Sequence, residues 1–264
     1  MDFNTHTILG RTGLSVSRLG IGASYGAPAW ALEKAFHEYG VNAFYWGATR
    51  KATMGEALKE LCRTDRDRIV VMFQTYDKSG FLMRHFHEKG LRTLGTEYAD
   101  ILILGWCNKE PSGRWLETAV RLKEEGKVKF LCVSGHKRYV LGAMAARNDL
   151  PIDVYMLRYN AAHVGAELDV FPHLPKENPP GIMAFTATRW GQLMQARRMP
   201  PGEEPLTASD CYRFVLSNNN IDLCMMGPKT AEELEGGLKT LELGPLSEHE
   251  MTRVRFIGAH VYGK

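Results

Sequence analysis

An eight-unit (β/α)8 barrel is the α/β architecture that this sequence predicts, and three observations predict it. Short apolar runs rich in β-branched residues alternate with longer amphipathic stretches, which is the pattern of repeated βα units around a parallel sheet. Eight such runs occur, at 19–22, 43–46, 69–75, 101–104, 128–134, 154–158, 182–186 and 223–226. The length of 264 residues suits one such barrel. No linker-like stretch interrupts the alternation, so 1–264 is read as one domain.

The elements follow in order. Ahead of the first run, Leu9-Gly10-Arg11-Thr12-Gly13-Leu14 reads as a hairpin turn between two short strands, a plug preceding the barrel. A helix over 30–39 stops at Tyr39-Gly40, where glycine suits a left-handed cap. A second helix over 54–61 follows the second run. After the third run, His85 and His87 lie in a helical stretch, where residues two apart point to different faces, so they are not expected to share a metal. The run 101–104 is apolar throughout, as a strand covered on both faces should be. A helix over 115–125 ends at Glu125-Gly126. Residues 195–207, rich in Pro, Gly and charge, form the longest irregular stretch and read as a surface loop after the seventh strand. A helix over 231–241 completes the eighth unit, and 246–261 is an extra C-terminal helix.

Composition narrows the function classes. With 44% hydrophobic and 24% charged residues the chain has material for a large core and little charge imbalance. The net charge of +3 is spread among mixed signs with no basic stripe, which argues against nucleic acid as a partner. No apolar run of membrane-spanning length and no leader-like start occur, so the expectation is a cytoplasmic protein without a membrane partner. Five cysteines (Cys62, Cys107, Cys132, Cys211, Cys224), widely spaced and without Cys-x-x-Cys, fit reduced thiols used as small core residues.

A doubly wound dinucleotide-binding sheet is the competing fold, because Gly20-Ile21-Gly22-Ala23-Ser24-Tyr25-Gly26 offers a glycine-rich turn. The third glycine arrives one residue late, and the second strand ends in Tyr45-Trp46 where that fold needs an acid for the ribose.

Seven stretches, in order and over nearly the whole chain, resemble the aldo-keto reductase family. They are 9–22, with its Leu-Gly-Arg-Thr-Gly-Leu hairpin; Met54-Gly55-Glu56-Ala57-Leu58; Leu94-Gly95-Thr96-Glu97-Tyr98-Ala99-Asp100 with the apolar run after it; Glu124-Glu125-Gly126-Lys127-Val128 with Val133-Ser134; Arg158-Tyr159-Asn160; Arg213-Phe214-Val215-Leu216-Ser217-Asn218; and Gly227-Pro228-Lys229-Thr230. The resemblance implies an oxidoreductase in which NADP(H) exchanges hydride with a carbonyl compound. In that family a tyrosine donates the proton, a lysine paired with an aspartate lowers its pKa, and a histidine orients the substrate. A phenol with an ordinary pKa near 10 needs such a cation to act near neutrality.

Aligned on the resemblance, the aspartate falls on Tyr45, the tyrosine on Arg50, the lysine on Gln74 and the histidine on Gly105, with Trp106 beside it. All four positions are substituted. For the cofactor, Ser134 matches the residue at the nicotinamide carboxamide, and Phe185 matches the aromatic platform under the nicotinamide. Thr186 and Arg189 match the phosphate segment, and Lys229 with Thr230 the grip on the 2'-phosphate. Gly135 and Met156 replace two polar cofactor contacts, and Gly236 and Gly237 replace residues that hold adenine.

Two readings of the proton donor follow. Tyr45 is one, with its pKa lowered if Arg50 or Lys51 comes close; otherwise Tyr45 and Trp46 close the barrel mouth with aromatic bulk. His136, after the fifth strand, is the other, or else a polar rim residue. Arg189 and Lys229 are equally readable as solvated charges, and Phe185 as core. Two functions therefore stand: an NADP(H)-linked oxidoreductase acting on a small molecule through a non-standard active site, and a catalytically silent barrel that binds a ligand or partner.

Overall fold

The computed structural model describes residues 2–22, 26–47 and 52–263. A two-stranded antiparallel hairpin, β1 (Thr7–Ile8) and β2 (Ser15–Val16), precedes eight parallel strands: β3 (Leu19–Gly22), β4 (Ala43–Trp46), β5 (Val70–Thr75), β6 (Ala99–Leu104), β7 (Val128–Gly135), β8 (Val154–Arg158), β9 (Gly181–Phe185) and β10 (Leu223–Met226). Each barrel strand pairs with its sequence neighbour, and β10 closes the ring between β9 and β3. Helices α1 (Ala29–Tyr39), α2 (Ala52–Thr64), α3 (Gly80–Leu94), α4 (Gly113–Glu124), α5 (Arg138–Ala145), the short α6 (Ala166–Asp169), α7 (Ala208–Leu216) and α8 (Ala231–Leu243) alternate with them, and α9 (Glu248–Tyr262) follows. This is the (β/α)8 barrel with an N-terminal hairpin and an extra C-terminal helix that the alternation predicts.

The period-2 alternation of each strand sorts its side chains into two cores. Ala43, Val70, Met72, Ile101, Ile103, Cys132, Val154, Met156, Met183, Leu223 and Met225 fill the barrel; the larger cluster lies between strands and helices. The hairpin supplies the floor. Leu9 and Val16 join the interior cluster, and Gly10, at φ 44°, lies so close to Gly181 that an added Cβ would sit 2.2 Å from its backbone nitrogen. Both the left-handed φ and that approach require glycine there.

Helix ends follow the sequence closely. Ser79, Thr207, Thr230 and Ser247 cap α3, α7, α8 and α9 with their hydroxyls, while Gly40 and Gly95 close α1 and α3 in the left-handed conformation. Asp100, at the start of β6, is buried against Arg66 (2.9 Å) and Lys129 (3.1 Å) and accepts from the Val71 N–H. That acid is thus structural, binding two strands together beneath the barrel.

The structure corrects several boundaries. Position 69 lies outside β5, and β6 begins two residues early at Ala99 because Ala99 already pairs with Val128. Thr186 leaves β9: its φ of 57° turns the chain out of the sheet. The irregular stretch after β9 is longer than 195–207, running from Thr186 to Thr207 with only two 3-10 turns. Trp46 does not close the mouth. It faces outward with only 4% exposure, packed 5.9 Å from Phe73 and against Gly55 of α2, because it occupies the helix-facing phase of β4. All five cysteines are buried and free. Among the described residues no helix is long and apolar enough to cross a membrane.

Candidate active site

The inward phase that fills the barrel ends, at the strands' C-termini, in polar and aromatic side chains, where barrels of this class place function. Tyr45 from β4, Gln74 from β5, Ser134 from β7, Arg158 from β8 and Phe185 from β9 form this top layer, with His136 just beyond β7. Arg158 and Phe185 are direct register partners, as are Tyr45 and Gly22.

On one side of the mouth the groups are neutral. The Tyr45 hydroxyl donates to Gln74 Oε1, and Gln74 Nε2 lies 3.4 Å from Ser134 Oγ. Tyr45 is accommodated by two small neighbours. A Cβ on Gly47 would sit 2.9 Å from the phenol oxygen, and one on Gly22 would touch the ring. Burial, reinforced by the neighbouring Tyr76 phenol, pushes the Tyr45 hydroxyl above its ordinary value of about 10. That is opposite to the lowering by a cation expected of this residue. Arg50 and Lys51 lie outside the described residues.

Two glycines here have steric reasons. A Cβ at Gly105 would stand 2.4 Å from the Tyr76 ring, which stacks on Trp106 with centroids 4.6 Å apart, so Tyr76 fills the space a side chain at 105 would use. A Cβ at Gly135 would stand 2.6 Å from the Cys107 carbonyl, because the loop after β6 is laced to β7 through Cys107 N–H to Ser134 O, at 2.8 Å. Neither position accepts a side chain without movement.

The other side is cationic. The Arg158 guanidinium has no hydrogen-bond or ion-pair partner among the described residues, and its Nε is sealed from water. Burial and the nearby Arg138 and Arg189 lower its pKa. Burial, then Arg158, Arg189 and Arg138, holds His163 down to about 4. Phe185 is half-buried, with the His136 ring edge-on at 5.8 Å. His136 is exposed, and burial of part of its ring together with Arg158 lowers its pKa. Beside Phe185, Thr186 has its Oγ1 buried without a partner. Asn160, fully buried, donates from Nδ2 to the Thr186 carbonyl at 2.8 Å and so fixes that left-handed turn. Arg189 and Trp190 are also left-handed, and Arg189 Nη1 donates to the Val261 carbonyl, tethering the turn to α9.

The structure therefore brings Tyr45, Ser134, His136, Phe185, Thr186 and Arg189 to one end of the barrel. Lys229 and Thr230, both exposed, lie at the N-terminus of α8 just after β10, at that same end of the barrel. Thr230 Oγ1 caps Glu233 N–H, the Lys229 N–H donates to the Glu233 carboxylate at 2.7 Å, and Glu232 and Glu233 occupy the first turn. Those carboxylates compete with any anion for the site. Gly237 has no room for a Cβ beside Met226 and Tyr212, whereas Gly236 is unobstructed. In α3, His85 is exposed while His87 is buried with Nε2 2.9 Å from the Lys127 carbonyl, so the two face apart. Sequence reasoning missed Arg158, Tyr76 and His163. Arg158 carried a readable signal, a charge two residues beyond Met156 on the inward phase of an apolar strand.

Solved structures share the fold that carries these residues. In fold it resembles aldo-keto reductase AKR11C1 from Bacillus halodurans, in the holo form (TM-score 0.77, 17% identity, 96% of each chain covered). The apo form of that protein superposes with TM-score 0.76 at 16% identity, covering 96% of this chain and 95% of the other. PA4992 from Pseudomonas aeruginosa gives TM-score 0.67 at 18% identity, over 89% of this chain and 95% of that one. No curated protein matches the sequence. The Aldo/keto reductase family matches across residues 29–210, which is more than half the chain and runs from α1 into α7. With the closed barrel, its hairpin floor and the polar layer at the strand ends, that match makes this chain a member of the aldo/keto reductase family.

Proposed function

We propose that the protein is an oxidoreductase linked to NADP(H) that reduces or forms a small carbonyl compound with a non-standard proton donor. Family and fold support oxidoreductase chemistry in general. The observation that carries the dinucleotide is the pair of orphaned buried atoms, Arg158 Nε and Thr186 Oγ1, on either side of Phe185. Buried polar groups are nearly always hydrogen-bonded, and an unpaired guanidinium beside an unpaired hydroxyl fits an anionic group with acceptor oxygens.

When bound, the cofactor supplies or accepts a hydride at its nicotinamide ring. Phe185 offers that ring a flat apolar support, and Ser134 Oγ a hydrogen bond for its carboxamide. Arg158 and Arg189 would balance the charge of the phosphates, and the Thr186 turn would lie beside them. His136 is the better placed proton donor: it touches Phe185, is open to solvent for reprotonation, and a lowered pKa makes its protonated form a stronger acid. Tyr45 keeps its proton. Ionising it beside Gln74 would leave a buried phenolate without a described cation.

A second reading, a catalytically silent binding module, is favoured by that same neutral Tyr45–Gln74–Ser134 chain. Titration of NADPH into the protein, followed by nicotinamide fluorescence, separates the two. Saturable binding in the micromolar range supports the enzyme; no binding at millimolar cofactor supports the module.

A further inference from the structure

Beside the top layer, the ends of β5, β6 and β7 enclose an open cleft of about 700 Å3 lined by Lys78, Trp106, Asn108, Lys109, His136 and Lys137. Its charge is one-sided. None of the three lysines pairs with a carboxylate among the described residues. The acids nearby in sequence are engaged elsewhere: Asp77 accepts from the Ser79 N–H at 2.6 Å, and Glu110 pairs with Arg147 at 2.7 Å.

The cleft also has a flat wall. Trp106 is 57% exposed, braced on the Tyr76 ring, and its φ of 55° is unusual for a residue with a Cβ. A bulky aromatic held in the open by a disfavoured backbone conformation is a feature of ligand clamps. Asn108 Oδ1 accepts from the His136 and Lys137 N–H groups, at 3.1 and 3.2 Å, fixing the loop that carries the tryptophan against the start of α5. His136 belongs both to this cleft and to the Phe185 contact, so the cleft opens onto the proposed reaction centre.

We propose that this cleft is the substrate site and that it selects aromatic carbonyl compounds bearing a carboxylate. The ring lies against Trp106 and the carboxylate is held among Lys78, Lys109 and Lys137, with the reacting carbon directed to His136. This assignment rests on the oxidoreductase reading for its chemistry, but not for its binding.

Calorimetry with 4-(hydroxymethyl)benzoate and its neutral isostere 4-(hydroxymethyl)benzamide tests it, since neither forms an imine with lysine. The carboxylate is expected to bind at least tenfold tighter than the amide, with the preference shrinking as salt rises. In the Lys78→Met/Lys109→Met/Lys137→Met variant the preference should vanish while the melting temperature holds. Equal affinities, no binding of either compound, or a preference that survives in the triple variant overturns the proposal. An NADPH titration on the same samples keeps the two ideas apart: cofactor binding without carboxylate preference sinks only the cleft, and the reverse sinks only the oxidoreductase.

Discussion

Tyr45 and Gln74, on adjacent strands of the barrel mouth, are joined through the phenol hydroxyl and the side-chain amide oxygen, so the buried phenol faces a neutral partner. The resemblance to the family implies a carboxylate at position 45 and an ammonium at position 74, and here a neutral pair stands in place of both charges.

Gln74→Lys should therefore lower the titration midpoint of Tyr45 by about 1 to 3 pH units, the range for an opposite charge in contact. The difference in phenolate absorbance between Gln74→Lys and Gln74→Lys/Tyr45→Phe, followed against pH, measures it. A midpoint no lower than that of Tyr45 in the unsubstituted protein, measured in the same way against Tyr45→Phe, would show that burial outweighs the introduced charge.

Arg158→Met should weaken NADPH binding by roughly 10- to 150-fold, the equivalent of one hydrogen bond to a charged group. Its thermal stability should scarcely change, because the guanidinium has no protein partner to lose. Arg189→Met should instead lower the melting temperature as well, through loss of the tether to the Val261 carbonyl. Equal thermal effects would contradict this division of roles.

His163 titrates at about 4 in the folded protein, against about 6.5 in the unfolded chain. The unfolded state binds the extra proton first as pH falls, so the contribution of His163 to stability is complete above 6.5 and lost toward 4. His163→Gln should flatten that part of the stability–pH curve, as measured by urea unfolding. Because burial and, after it, the Arg158 and Arg189 charges hold the value down, an anion that neutralises those charges should raise it. The histidine carbon-bound proton resonance should report an upward shift on adding NADPH.

At α8, Glu232 and Glu233 oppose a 2'-phosphate beside Thr230. Glu232→Gln should strengthen NADPH binding by about 2- to 5-fold, as expected for a screened surface charge, and leave NADH unchanged. A parallel change for both cofactors would place the phosphate elsewhere.

Much of the fold was legible because periodicity reports burial. The runs of β4, β6, β8 and β10 are apolar where both faces are covered, and Gly40 and Gly126, both left-handed, mark the ends of α1 and α4 by their own chemistry. What escaped was set by contacts distant in sequence. Trp46 reads as a mouth residue until the phase of β4 turns it toward Phe73 and Gly55. Thr186 reads as strand, yet the Asn160 amide, 26 residues upstream, holds its carbonyl in a left-handed turn. The substitutions at Gly105 and Gly135 read as losses. In the folded chain they are positions where Tyr76 and Cys107 leave no space for a Cβ. The unpaired state of Arg158 and of the cleft lysines was invisible in the sequence, because pairing depends on where carboxylates from other loops end up.

The most direct test of the account is a crystal of the protein soaked with NADPH, read for the position of the nicotinamide. The account predicts density against Phe185 and Ser134, with phosphate oxygens at the Arg158 guanidinium and the Thr186 turn. Cofactor density elsewhere, or an empty barrel mouth at saturating NADPH, would contradict it.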